Sequence, residues 1–397
     1  MNKGFFTLLA AQFLSALADN ALLFAAIALL QQMHAPDWHE PLLLQFFVIS
    51  YIVLAPFVGS FADALPKGKV LFISNGIKFI GSLSMILGMP PLYAYGIVGI
   101  GAAAYSPAKY GILTELLPPN KLVSANGWME GSTVIAIILG AIIGGLMASI
   151  DPKGAMIAIT ALYLMAAGFN IFIPKLPIDH RLPKKDPLFI LSDFYRSFVA
   201  LWRDPQGQVS LSVTTLFWGA GATLRLVVIA WAGIVLGFEI DNATQLIAAV
   251  ALGVAIGSAI AARYITLENA VKVLPAGIAM GVLVIAMAWV TEWHLAALLL
   301  FTIGVLSGFF VVPLNALLQH RGHLLIGAGH SIAVQNFNEN LGILLLSGGY
   351  TLMVKANFDI NYIIIIFGVF VIISMSLINR LYRRQNQHSP IESLPDS

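Results

Sequence analysis

The chain has 397 residues, 59% of them hydrophobic and only 10% charged, with a formal net charge of +2 and a mean hydropathy of +0.87. An ordinary soluble domain carries about 25% charged residues, so these values exclude one. The small net charge, spread over loops, points to no nucleic-acid partner, and the absence of cysteine excludes disulfides and thiol chemistry.

The charges cluster between apolar runs long enough to cross a hydrocarbon core about 30 Å thick, which takes about 20 helical residues. Twelve runs follow one another, over residues 5–31, 42–65, 70–90, 92–116, 124–149, 154–173, 209–236, 243–264, 270–290, 294–318, 327–354 and 359–381. The first is far longer than a signal-peptide core and reads as an uncleaved span. The expected fold is an all-α polytopic membrane protein with twelve transmembrane helices in two pseudo-symmetric six-helix halves. The expected domains are residues 1–173, a cytoplasmic linker over 174–208, a second half over 209–384 and a tail over 385–397. The linker holds Pro174, Pro177, Pro183, Pro187 and Pro205 among Lys175, Arg181, Lys184, Lys185, Arg196 and Arg203. Its second part sets Phe194, Phe198, Leu201 and Trp202 on one helical face. That pattern suits a helix lying in the membrane interface, and equally a plain linker helix.

Basic residues fix the expected orientation. With both termini cytoplasmic, sixteen lysines and arginines lie inside, only Lys153 and Lys355 lie outside, and Lys78, Lys109 and Arg225 fall within spans, which accounts for all 21. The halves also resemble each other. Gly59-Ser60 matches Gly257-Ser258, Ser106-Pro107-Ala108-Lys109 matches Val312-Pro313-Leu314-Asn315, and the stretch from Asn126 to Glu130 resembles that from Gln335 to Glu339. A two-fold repeat of this kind is the layout of a transporter whose site lies between its halves.

Six charged residues sit inside spans: Asp19, Lys78, Lys109, Glu130, Arg225 and Glu339. A charge at the bilayer centre costs about 2.5–3.5 kcal/mol on insertion scales, so each should face a partner or a wet cavity. At 1.5 Å per residue, Asp19, Arg225 and Glu339 lie about 18–24 Å from the cytoplasmic end, and Lys78, Lys109 and Glu130 about 9–12 Å. The deeper tier is either a structural ion pair between the halves or a head-group site. In the second case Arg225 offers a forked donor to a phosphate, and Asp19 and Glu339 meet an ammonium or hydroxyls. Asn20, Gln335, Asn336 and Asn338 then add neutral hydrogen-bonding groups, as do Gln12 and Asn340. In the shallower tier a Lys109–Glu130 pair is expected to close the cytoplasmic side, or else to neutralise charge on burial. Lys78 is free to snorkel toward the surface.

The stretch Gly59-Ser-Phe-Ala-Asp63-Ala-Leu-Pro-Lys67-Gly68-Lys69 resembles the loop signature between spans two and three of the major facilitator superfamily. The resemblance implies that Asp63 contacts the N-terminus of span eleven, where Gly327 and Gly329 would let it approach and the helix dipole would attract it. This copy departs from the pattern at Ala64, where Arg is usual, and the second half has Ala261 in place of Asp63.

Four longer runs, over residues 11–25, 101–113, 216–225 and 308–322, resemble the bacterial lysophospholipid transporters of that superfamily. That resemblance implies a flippase of the Gram-negative inner membrane. Its substrates would be lysophosphatidylethanolamine and lysophosphatidylglycerol, moved from the periplasmic to the cytoplasmic leaflet and reacylated there by a partner acyltransferase/acyl-carrier-protein synthetase. Membrane lipids would surround it, with sideways access for the substrate and rocking of the halves around the site. The family's polar residues match Asp19, Lys109 and Arg225. The alternative is a proton-coupled antiporter of amphiphilic drugs, with Asp19 as proton carrier. No H-x-x-x-x-D, P-loop or H-E-x-x-H motif occurs, so an enzyme is not expected, nor a cofactor, nor a nucleotide energy source. His320 and His323, like His34, Asp37 and His39 on the other side, are too few for a metal site.

Overall fold

Residues 2–35, 39–177, 186–238 and 240–388 are described by a computed structural model. Asp37, Arg181, Lys184, Lys185 and the tail from residue 389 lie outside the described residues.

Thirteen α-helices run through the described residues: α1 (Lys3–Gln32), α2 (His39–Ala64), α3 (Lys67–Ile86), α4 (Pro91–Leu116), α5 (Leu122–Ile150), α6 (Pro152–Ile171), α7 (Pro187–Arg203), α8 (Pro205–Val235), α9 (Ile240–Tyr264), α10 (Leu274–Ala286), α11 (Trp293–Ile326), α12 (Ala328–Lys355) and α13 (Ile360–His388). Helix α7 belongs to the linker, and the other twelve coincide with the expected spans. Local chemistry sets their ends. The Asn2 side chain accepts from the Phe5 N–H at 2.9 Å. Asp151 and Asp204 cap α6 and α8 ahead of Pro152 and Pro205, the residue type that suits a first helical turn. Gly327, at φ 95°, is the single residue between α11 and α12, and its left-handed backbone ends one helix so that the next can begin.

Ten of the helices are long and apolar enough to cross a bilayer. The other two at expected spans, α4 and α12, are long enough at 26 and 28 residues, but polar groups dilute them. Helix α4 carries Ser106 and Lys109, and α12 carries Gln335, Asn336, Asn338, Glu339 and Asn340. Of these, Ser106, Gln335, Asn336, Asn338 and Glu339 are buried, as membrane-depth polar groups must be.

By contact the chain forms two compact units, one of residues 1–200 with 319–341, the other of residues 201–318 with 342–397. In the first, α1 packs on α5 and α6, and α4 packs on α2 and α3. Lipid is as apolar as leucine, so close approach rather than escape from water drives helix association here. Gly140 and Gly144 of α5 supply it: a Cβ on Gly144 would lie 2.6 Å from Ala21 Cα of α1. In the second unit α13 packs on α8 and α10, around a core that includes Trp231, Leu274 and Ile364. Gly253 and Gly257 of α9 interlock with Gly304 and Gly308 of α11, where a Cβ on any of the four would strike a facing backbone carbonyl. Outward-facing Val53, Leu146 and Leu298 are more than half exposed, as lipid-facing side chains are.

Candidate functional site

Asp19 lies in the first unit, on α1, and its carboxylate is held from two sides. Lys78 Nζ of α3 is 2.7 Å from Oδ2, and the Tyr163 hydroxyl of α6 donates to Oδ1 at 2.8 Å. The Lys78 ammonium also donates to Ser15 Oγ at 3.0 Å and lies 4.7 Å from the centre of the Tyr105 ring. Ser15 passes the chain on, donating to Asn75 Oδ1 at 2.8 Å. A polar cavity of about 70 Å³ opens beside the pair, and Asp19, Lys78, Lys109, Gln12, Tyr51 and Ser106 line it.

This corrects the depth estimate, which put Lys78 in the shallow tier and let it snorkel outward. Lys78 is 1% exposed and reaches inward to Asp19. Helix α3 begins at Lys67 rather than residue 70, which adds about 4.5 Å of depth, and the four-carbon stem spans the rest. Depth in the sequence grouped Asp19 with Arg225 and Glu339, whereas the cation Asp19 holds within its own unit is Lys78.

Lys109 and Glu130 attract each other electrostatically, and Tyr110 stands beside both. The Tyr110 hydroxyl donates to Glu130 Oε1 at 2.9 Å, and Lys109 Nζ lies over the Tyr110 ring at 4.1 Å from its centre.

A second cluster surrounds Asp63 at the end of α2. Its carboxylate accepts from the Gly329 N–H at 2.8 Å and the His330 N–H at 3.0 Å, both in the first turn of α12. It also faces His330 Nδ1 at 2.6 Å and takes Lys67 Nζ at 2.6 Å, while Lys67 reaches Glu115 at 3.2 Å. The N-terminal end of a helix attracts a carboxylate through its free N–H groups and its dipole. Glycine makes the approach feasible, since a Cβ on Gly329 would lie 2.6 Å from Asp63 Oδ1, and one on Gly59 would lie 3.0 Å from Ala333 Cβ. The other ring nitrogen of His330 is 3.1 Å from Asp193 of α7 and 3.3 Å from Ser60 Oγ. The apolar face of α7 meets α12 too, with the Phe194 and Phe198 rings edge-on to Phe337.

The amides of α12 divide by function. Asn336 Nδ2 donates to Ser106 Oγ at 2.9 Å, linking α12 to the wall of the Asp19 cavity. Gln335 Nε2 donates to Glu339 at 2.7 Å within the helix. Asn338 and Asn340 turn back onto their own helix at Val334 and Asn336, as Asn20 does at Ala16. Between α5 and α11, Asn126 and Gln319 exchange two 2.8 Å hydrogen bonds.

Arg225 lies in the second unit, on α8. Among the described residues it is the one charged group on a cavity of about 200 Å³ whose other lining includes Phe217, Leu224, Val250, Met280 and Phe367.

Sequence inspection missed Tyr163, Tyr110, His330, Asp193 and Glu115. Only the Asp63–Lys67 spacing of four residues was a local signal; the remaining contacts join positions far apart in the chain.

A sequence profile of the Major Facilitator Superfamily matches residues 8–347. The chain is 48% identical over 357 residues, 89% of each chain, to the Lysophospholipid transporter LplT of Serratia proteamaculans. It is 47% identical to that of Yersinia enterocolitica, over 89% of this chain and 88% of the relative. In fold it is similar to the fucose:proton symporter FucP of E. coli, with TM-score 0.76 and 14% identity, covering 96% and 98% of the two chains. A bacterial homologue of the iron transporter ferroportin in an outward-facing state matches with TM-score 0.75 and 15% identity, over 97% of this chain and 100% of the other. With its twelve span-matched helices and its Asp63 signature, this multi-pass membrane protein belongs to the LplT family of the Major Facilitator Superfamily.

Proposed function

We propose that the chain is a secondary transporter that flips lysophospholipids, lysophosphatidylethanolamine and lysophosphatidylglycerol, across the bacterial inner membrane. Transport runs from the periplasmic to the cytoplasmic leaflet by alternating access, with sideways access for the lipid. Both termini are cytoplasmic, and an acyltransferase/acyl-carrier-protein synthetase consumes the product.

The observation that carries this reading is the charge set on the Asp19 cavity: two ammonium groups, Lys78 and Lys109, and one carboxylate. Breaking one partner out of a buried ion pair costs about 3–5 kcal/mol, because the other is stranded; the figure is smaller here, since Asp19 is 20% exposed. A purely cationic amphiphile taking Asp19 would strand Lys78. A phosphoethanolamine head replaces both partners at once, its ammonium on Asp19 and its phosphate on Lys78 and Lys109. A phosphoglycerol head matches the surplus positive charge. On the second unit Arg225 offers a forked donor to phosphate, with apolar lining beside it for an acyl chain. Asn20, Gln335, Asn336, Asn338 and Glu339 contribute polar groups to the same task. Asp63, with Lys67 and His330, acts as the cytoplasmic latch, and Lys109, Tyr110 and Glu130 support it. The names of the relatives, lysophospholipid transporters at nearly half identity, support the substrate class.

The test is a binding competition on purified protein, read by tryptophan fluorescence. Lysophosphatidylethanolamine should bind at least about tenfold, or 1.4 kcal/mol, more tightly than an alkyltrimethylammonium of equal chain length. Lys78→Met should erase that preference. Equal binding of the two amphiphiles to the parent would contradict the reading.

A further inference from the structure

A further cavity lies away from the Asp19 cluster, where the first turn of α3 meets the end of α6. Its volume is about 400 Å³, and its lining includes Gly68, Lys69, Phe72, Asn170, Ile171 and Lys175. Four features single it out. Asn170 is 2% exposed, yet both its Oδ1 and its Nδ2 lack a hydrogen-bond partner. A buried amide left unpaired is costly, so a ligand that satisfies it has a ready place. Among the described residues, two lysines line the cavity and no carboxylate does. Helix α3 starts without a side-chain cap, which leaves N–H groups and the positive end of a 20-residue helix at the cavity. Finally, the walls continue onto exposed apolar side chains, Phe72 at 43%, Ile171 at 67% and Phe172 at 76%, a surface suited to acyl chains rather than to water.

We infer that this cavity is a resident-lipid site for an anionic phospholipid with a hydroxylated head, phosphatidylglycerol in chemistry, separate from the transported substrate. The phosphate sits between Lys69 and Lys175 at the start of α3. The glycerol hydroxyls donate to Asn170 Oδ1 and accept from Nδ2. The acyl chains run along Phe72 and Ile171. Basic pockets between membrane helices take lipid head groups in this way. Phosphatidylethanolamine fits less well, because its ammonium meets no carboxylate in the lining. Gly68 keeps the cavity wall close: a Cβ there would lie 3.2 Å from Ile173 Cβ and would press Ile173 back by a few tenths of an ångström.

The test is native mass spectrometry of the full chain in detergent, titrated with phosphatidylglycerol, phosphatidylethanolamine or soluble glycerol phosphate. The parent should retain phosphatidylglycerol at least about tenfold more tightly than phosphatidylethanolamine. The double variant K69Q/K175Q should lose that preference, and Asn170→Leu should weaken phosphatidylglycerol binding severalfold. Lys153→Gln, on the opposite membrane face, should change nothing, and an unchanged melting temperature certifies each variant as folded. Three results overturn the proposal: equal retention of both lipids by the parent, preference surviving in K69Q/K175Q, or an equal loss in K153Q. Glycerol phosphate binding as well as the lipid does would overturn the lipid assignment. None of these readouts involves transport, so they leave the flipping proposal standing or falling on its own assays.

Discussion

Lys78 Nζ of α3 is 2.7 Å from Asp19 Oδ2 of α1, and the Tyr163 hydroxyl closes the other side of the same carboxylate at 2.8 Å. Removing one partner strands a charge at membrane depth, whereas removing both does not. Lys78→Met and Asp19→Asn should each lower the melting temperature in detergent, and the double variant should be more stable than Lys78→Met alone. The double-mutant cycle should give a coupling of about 1–3 kcal/mol. Additive effects would mean that the two charges do not depend on each other.

Asp63 gathers four donors from two helices: Lys67 of α3, the Gly329 and His330 amides of α12, and the His330 ring. Asp63→Asn keeps the shape but removes the charge, and hydrogen bonds to charged groups contribute about 1.5–3 kcal/mol. The chain has no native cysteine, so a single reporter is clean. In an Ala333→Cys background, where the parent site is fully buried, Asp63→Asn should speed labelling by a membrane-impermeant maleimide about tenfold. Unchanged labelling would leave Asp63 without a latching role.

Tyr110 stands between Lys109 and Glu130, with a ring contact on one side and a hydrogen bond on the other. Tyr110→Phe keeps the cation–π contact, worth about 0.5–2 kcal/mol, and loses only the hydroxyl. Tyr110→Ala loses both. Melting temperatures should therefore fall in the order parent, Tyr110→Phe, Tyr110→Ala. Equal stability of the two variants would show that the ring contact adds nothing.

Asn126 and Gln319 exchange a closed pair of hydrogen bonds between α5 and α11. Asn126→Leu leaves Gln319 buried without that partner, a cost of about 1–3 kcal/mol. The double variant with Gln319→Leu should recover most of the loss in a thermal melt. If it melts lower than either single variant, the pair is not what holds those helices there.

The sequence made the membrane class, the spans and the superfamily signature legible, because hydropathy, proline caps and the Asp63 motif are local. Helices α4 and α12 read as spans from their apolar runs over residues 92–116 and 327–354, although their polar groups leave them short of the hydropathy of the other ten. The partners were harder to find. Depth counted from a span's end ignores where the helix starts and how far a lysine reaches, and that error separated Lys78 from Asp19. Tyr163 and Tyr110 looked like ordinary aromatic members of apolar helices, and nothing local marks a hydroxyl aimed at a carboxylate on another helix. His330 and Asp193, 137 positions apart in the chain, are brought together only by the docking of α7. The amide-rich run of α12 read as hydrogen-bonding groups for a head group, yet Asn338 and Asn340 each donate to their own helix backbone.

Flipping of lysophosphatidylethanolamine in reconstituted vesicles, with labelled lipid in one leaflet, tests the central claim most directly. The parent should move the label across at least about tenfold faster than protein-free vesicles, and Asp19→Asn, Lys78→Met and Arg225→Ala should each return the rate toward that background, with Arg225→Lys also impaired because a single ammonium lacks the fork. A parent no faster than empty vesicles, or Arg225→Ala as fast as the parent, would contradict the account.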